Sequence, residues 1–375
     1  MVHQLQHCYR MPVVEKIGRR NSIPILYTRG THYEVGFDVG CTFRGFIHSL
    51  LAASQPLNEV FLPLFETEAG QKVYHETLSS VRQNFPQYLK EMEGTADGAQ
   101  VPFYKLFLLH MDEILPNVLR EQPTKTHGTG CSTVCCNNPG EEILGHTEDA
   151  LSEVLNHVYF VSAHIISDLP QGRWKVTEEK QSVCNLNGPG ILLTARHFLT
   201  RALLAAENFS QAQEILRDSG CGAGDAVSIN MTFLNQEGDR LFHNAEVGPA
   251  VGGANESALN IFTASPGEHI FHCNKYLRLQ SPEAGGEITT SSDHRHATMS
   301  SLPCPYSRGD VINILGDQSD KEYSIFRESG DDDYVKTVAV GIFDCVGRTW
   351  SIYTDNPMTN EPVIVLPLQF KPSVK

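Results

Sequence analysis

The feature that most constrains this chain of 375 residues is a change of texture at Gly130–Cys131. Upstream, apolar residues recur at helical spacing over Tyr33–Ala53 and Val73–Tyr88. Val60–Phe65 is apolar too, with Pro63 interrupting it, and Pro102 stands where a first-turn proline starts a helix over Phe103–Leu119. Glu91–Gln100 reads as a Gly-rich junction, and Glu121–Gly130 as a polar, exposed connector. Downstream the chain turns β-prone: Cys131–Cys136, Ile143–His146 and Val158–Ile166 read as strands, with a tight turn at Asn138–Gly140. Helical period returns over Phe198–Leu216. Two hairpins follow, Val227–Leu234 with Leu241–Ala245 and Val335–Phe343 with Thr349–Tyr353. This order predicts an α+β or layered α/β/β/α architecture with mostly antiparallel sheets, and the length allows one large domain or two.

Charge narrows the function. The formal net charge is −15 and the 29 Lys and Arg form no basic run, which argues against a nucleic-acid partner. The longest apolar helical stretch, Ile191–Ala206, is broken by Arg196, His197 and Arg201, so no membrane span is expected. Met1–Arg20 has no apolar signal core and Pro372–Lys375 no common peroxisomal signal, which makes the cytoplasm the expected location. The ten cysteines are then read as thiols, and the sequons at Asn208, Asn230 and Asn255 as unglycosylated.

Cys131 sits between the connector and the first predicted strand. A thiol at that junction can attack the carbonyl of the residue before it, and Gly130 offers that carbonyl without a side chain in the way. Hydrolysis of the resulting ester-like bond would free the α-amino group of Cys131. With a pKa near ~8, such an amine can act as general base for the thiol of its own residue. The Gly-Cys dipeptide alone is common and equally suits a buried structural cysteine.

A succession of motifs, each modest alone, gives the dipeptide its context. Gly30-Thr31-His32-Tyr33-Glu34-Val35-Gly36-Phe37-Asp38-Val39-Gly40 comes first, then Glu93-Gly94-Thr95-Ala96-Asp97-Gly98, then Gly130-Cys131 and Gly145-His146-Thr147-Glu148-Asp149. Ser228-Ile229-Asn230, His272-Cys273-Asn274, Ile314-Leu315-Gly316-Asp317, Val335–Asp344 and Tyr353–Pro357 follow. In this order they resemble the acyl-coenzyme A:6-aminopenicillanic acid acyltransferase family of N-terminal-nucleophile hydrolases, in particular its insect branch that hydrolyses β-alanyl amines.

The resemblance implies an αββα four-layer sandwich that cleaves itself before Cys131. It would yield an α-chain of residues 1–130 and a β-chain of residues 131–375 in one compact domain. The two cleaved chains stay associated, and a homodimer of the processed heterodimer is compatible with this. The substrate is a small amide, N-β-alanyl-dopamine or carcinine, opened through a cysteinyl thioester without cofactor or metal. Acyl transfer from a thioester donor is the alternative. Cys131 is then nucleophile, and Asp149 holds the new ammonium or a substrate donor. Asn230 offers an oxyanion N–H, a recurring task for this side chain in acyl transfer. On the residues alone, Asp149 is equally a turn cap and Asn230 an outward strand residue. Glu148, expected on the opposite strand face from Asp149, is a weak candidate for a substrate amine. Thr147 stands where relatives carry Asn. His294-Arg295-His296 and the scattered cysteines lack zinc spacing, so no metal is expected. Cys135 and Cys136 are read as packing thiols and Asp331–Asp333 as a solvated loop.

One departure stands out. Between Val183–Gly190 and Arg196–Arg201, relatives carry about two dozen further residues, and here only Ile191–Ala195 bridges the gap. Losing a strand pair would expose sheet edges, so a catalytically disabled, shortened relative is the rival expectation.

Overall fold

The computed structural model describes residues 18–112, 114–119, 130–166, 196–219, 222–249, 254, 256–281, 283, 287–328 and 335–368. The bridge after Gly190, most of the connector before Gly130, and Asp331–Asp333 lie outside these residues.

The class is α+β, as expected. Helices α1 (His32–Thr42), α2 (Arg44–Ala53), α3 (Leu62–Phe65), α4 (Glu68–Asn84), α5 (Pro86–Ala99), α6 (Phe103–Leu109) and α7 (Ile114–Val118) make up the N-terminal block. Thr31 and Glu34 close a capping box at the start of α1, each satisfying a backbone N–H of the other. The expected helix over Val73–Tyr88 breaks at Phe85, because Pro86 cannot donate to the preceding turn and opens α5 instead.

The Gly-rich segment Glu91–Gln100 is not a junction; it forms most of α5. Glycine reads locally as a breaker, but here it lets two helix backbones touch. A Cβ on Gly94 would lie 2.0 Å from the Tyr33 carbonyl oxygen, and one on Gly98 would lie 2.2 Å from that of Phe37. From the other side, a Cβ on Gly36 would sit 1.9 Å from the Glu91 oxygen and one on Gly40 2.2 Å from that of Thr95. Packing this close overrides intrinsic propensity.

After Cys131, β2 (Ser132–Asn138) and β3 (Glu141–Leu151) form a hairpin within a six-stranded antiparallel sheet. Its other strands are β8 (Glu268–His272), β9 (Val335–Asp344), β10 (Thr349–Tyr353) and β11 (Ile364–Pro367), in the order β11-β10-β9-β3-β2-β8. A second antiparallel sheet holds β5 (Val227–Met231), β6 (Phe242–Gly248) and β7 (Ala258–Ala264). Both predicted hairpins are present. A third pair, β1 (Ile25–Gly30) with β4 (Phe160–Ile165), is parallel, and β1 was not anticipated from the sequence. Helices α8 (Arg196–Leu203), α9 (Phe209–Arg217), α10 (Glu287–Ser301) and α11 (Arg308–Leu315) complete the described α-helices, beside a π-helical turn over Pro56–Phe61 and a 3-10 turn over Ser152–Val154.

Alternation along each strand divides the apolar side chains among separate cores. Helices α2 and α4 to α9 share one buried cluster with Val227, Ile229, Ala245 and Val247 of the three-stranded sheet. Val134, Cys136, Ile143, Val340 and Ile342 of the six-stranded sheet pack on Met299 of α10 and on Val311, Ile314 and Leu315 of α11. Between the sheets, Cys135 and Ile270 meet Phe242 and Ala264.

Candidate active site

Cys131 stands one residue before β2, 5% exposed. The Asp149 backbone N–H donates to its Sγ at 3.3 Å. The two sides of β2 receive different partners. Toward the second sheet, Thr133 Oγ1 contacts His146 Nδ1 of β3 at 2.9 Å and accepts from Asn230 Nδ2 of β5 at 3.1 Å. Asn244 Nδ2 of β6 in turn donates to Asn230 Oδ1 at 2.9 Å. Toward α10, Ser132 Oγ accepts from Arg295 Nη1 at 2.9 Å.

Arg295 organises that second side. It is fully buried, the largest such side chain in the described protein, and its Nη1 also donates to the Cys131 carbonyl oxygen at 2.8 Å. Nη2 donates to Asn274 Oδ1 at 2.9 Å, and Nε to Ser291 Oγ at 3.1 Å. The planar fork thereby ties the carbonyl of Cys131 to the loop after β8. Gly130 is buried against the same group: a Cβ there would lie 2.4 Å from Asn274 Oδ1 and 2.8 Å from Arg295 Nη2. Any larger residue here would displace the Asn274 amide or the Arg295 guanidinium from this cluster. Arg295 was passed over in the sequence as part of a His-Arg-His run. Beyond Ser291 and Ser292 of its own helix, its partners are Cys131, Ser132 of β2 and Asn274 of the loop after β8, which no local pattern in α10 announces.

Asp149 is buried at a register shift opposite β9. Glu148 pairs with Ala339 and Asp149 with Thr337, leaving Val338 between them. Thr337 Oγ1 donates to Asp149 Oδ1 at 2.6 Å, while buried Oδ2 has no hydrogen-bond partner among the described residues. Burial pushes this carboxyl up to about 6, against the opposing pull of Arg295 and the Thr337 bond. Burial likewise raises the Cys131 thiol well above its ordinary value, and the charges of Glu148 and Asp149 add to that.

Glu148 does take the opposite face from Asp149, and that face carries the thiol. Its carboxylate is half exposed and lies 3.6 Å from His146 Nε2. Ligand-capable atoms of Cys131, His146 and Glu148 all fall within 4.8 Å of one another. Thr147 Oγ1 accepts the Ser132 N–H at 2.9 Å. Cys135 and Cys136 are buried among apolar residues of separate cores. The structure thus brings Gly130, Cys131, Asp149, Asn230 and Glu148 into one neighbourhood and adds His146, Thr133 and Arg295.

Comparison with known proteins gives the neighbourhood a context. The family model described as acyl-coenzyme A:6-aminopenicillanic acid acyl-transferase matches residues 192–359. A beta-alanyl-dopamine/carcinine hydrolase of Drosophila melanogaster is 47% identical over 380 aligned residues, spanning 94% of this chain and 98% of that protein. The alignment is longer than the whole chain, so the relative carries residues that this chain lacks.

Proposed function

The chain belongs to the acyl-coenzyme A:6-aminopenicillanic acid acyl-transferase family, and on that footing we propose that it is a self-processing hydrolase of N-β-alanyl amines. The observation that carries this reading is the 47% identity, across 94% of the chain, to a hydrolase named for β-alanyl-dopamine and carcinine. The succession of helical core, three-stranded sheet, six-stranded sheet and α10–α11 supports an αββα sandwich, in which residues 1–130 and 131–375 would become two chains of one domain.

In the first reaction the Cys131 sulfur attacks the Gly130 carbonyl carbon. A C–S bond forms, the C–N bond breaks, and the thiol proton passes to the departing nitrogen. Water then hydrolyses the thioester, leaving a carboxylate on Gly130 and a free α-amine on Cys131. The Arg295 contact with the Cys131 carbonyl supports a held geometry on the nucleophile's side of that bond. In the intact chain, burial and two carboxylates keep the thiol protonated. A new ammonium on the same residue would oppose both effects, so cleavage raises the thiol's reactivity toward substrate. The unpartnered Asp149 Oδ2 supports a carboxylate ready to hold that ammonium.

In turnover, the α-amine takes the thiol proton while sulfur adds to the substrate carbonyl. The amine leaves with that proton, and water releases β-alanine from the thioester. Asn230 has two amide N–H bonds and its contact with Thr133 uses one, which supports a donor to the oxyanion. Glu148 is within 4.8 Å of the thiol and reachable from solvent, which supports capture of the β-alanyl ammonium two methylenes from the carbonyl.

The test is intact-mass measurement of purified protein, followed by incubation with carcinine, N-β-alanyl-dopamine and an acyl-coenzyme A. Two fragments split between Gly130 and Cys131, with β-alanine released, are expected; Cys131→Ala should give neither. An acylated amine in place of β-alanine would assign acyl transfer instead. One observation favours a second reading, a relative disabled by shortening: the alignment exceeds the chain's own length. A single uncleaved, inert chain would establish it.

A further inference from the structure

Cys131, His146 and Glu148 bring a sulfur, an imidazole nitrogen and a carboxylate oxygen within 4.8 Å of one another. We propose that these three side chains form a site for a zinc-class divalent cation, and that the cation inhibits the protein by capping the Cys131 sulfur. The site itself rests on geometry; the inhibition rests on the reading of Cys131 as nucleophile.

The donor set selects the ion. Magnesium and calcium take oxygen ligands, whereas thiolate with imidazole and carboxylate is the chemistry of zinc and its neighbours. His146 Nε2 and Glu148 Oε2 stand 3.6 Å apart. Bonds of about 2.0–2.3 Å at tetrahedral angles put two zinc ligands at about that spacing. The imidazole is also held from behind, since Nδ1 contacts Thr133 Oγ1 at 2.9 Å and that hydroxyl oxygen accepts from Asn230 Nδ2 at 3.1 Å. With Nδ1 donating to Thr133, Nε2 turns its lone pair toward Glu148 and the thiol, the outer-shell device by which metal-binding histidines are oriented.

Access and charge agree with this. Cys131 and His146 are buried while the Glu148 side chain is 48% exposed, so a cation enters along Glu148. Asp149 adds a carboxylate near the thiol, and the Arg295 cation, bonded to Ser132 and to the Cys131 carbonyl, opposes it from the side of β2 that faces α10. Binding forms a metal–sulfur bond and releases the thiol proton to solvent. Three protein ligands leave the fourth tetrahedral position to water, and the bound ion draws charge from the sulfur and crowds it, so the sulfur attacks a carbonyl less readily.

Cobalt(II) is the probe, because its thiolate charge-transfer band reads coordination without turnover. Titration of the full-length protein should raise that band, and added zinc should displace it. Cys131→Ala and Cys131→Ser should abolish it, with circular dichroism confirming that both fold. His146→Ala and Glu148→Gln should weaken cobalt binding at least about tenfold, the scale on which even outer-shell partners count. A Cys41→Ser/Cys304→Ser variant, which lacks the two exposed thiols among the described residues, should titrate like the parent. A band that survives Cys131 replacement, or no cobalt–thiolate band at all, overturns the site. A Cys131-dependent band in a protein that hydrolyses nothing keeps the site and rejects the hydrolase reading. Turnover that persists with the site filled rejects the inhibition.

Discussion

At the scale of single residues, the candidate site turns on where two protons sit. The Cys131 thiol is held neutral by burial and by neighbouring carboxylates, and Asp149 is pushed up to about 6 by burial. A carboxyl whose folded pKa exceeds its unfolded value binds more protons folded than unfolded. Its contribution to stability is therefore complete below about pH 4 and is lost as pH rises through about 6. Two units at about 1.36 kcal/mol each make about 3 kcal/mol. Asp149→Asn removes this dependence, so its stability relative to the parent should climb by about 3 kcal/mol from pH 4 to pH 7. Denaturant unfolding of both proteins across that range checks it; parallel curves would show that Asp149 ionises as freely folded as unfolded. Cys131 and Asp149 were legible as candidates in the sequence. Arg295 was not, because the contacts that tie it to the nucleophile, with Cys131 and Ser132, span more than a hundred residues.

At the scale of elements, α1 and α5 show how a sequence signal can be read correctly as a motif and wrongly as structure. The glycines of Gly36, Gly40, Gly94 and Gly98 stand out in the sequence, yet propensity assigns two of them to a junction. Their physical role is backbone contact. Gly94→Ala drives a Cβ to within 2.0 Å of the Tyr33 oxygen, where only backbone could give way. It should lower stability by about 1–3 kcal/mol, as overpacking does. Gly45, on α2, faces open space, and Gly45→Ala should be neutral or raise stability by about 0.5 kcal/mol. Thermal unfolding of the two variants separates packing from helix propensity, since the latter alone predicts stabilisation at both. The same limit explains β1: six residues of mixed exposure signal a strand only once the parallel partner β4 is beside them.

At the scale of the whole molecule, the N-terminal helices share one apolar core with β5 and β6, strands that follow Cys131. Ile47, Leu57, Phe85 and Phe107 lie in the same cluster as Val227, Ile229, Ala245 and Val247. Cutting one peptide bond at Gly130 removes none of those contacts, and burial of this extent holds chains together without covalent linkage. If cleavage occurs, the two fragments should co-elute in native size exclusion and separate only in denaturant. Fragments that part under native conditions would show that the shared core does not suffice. Among the described residues, no helix is long and apolar enough to cross a membrane.

The sequence by itself determined the α+β class, the hairpins and the position of the thiol at the switch from helix to strand. Those follow from periodicity and turn chemistry, which are local. Tertiary structure decided which side chains meet the thiol. Alternation along β2 and β3 sends His146 and Glu148 to one side and Asp149 and Thr147 to the other, and packing against β5 and α10 supplies Asn230 and Arg295. Those encounters are non-local, fixed by strand pairing and core packing, and no window of sequence contains them.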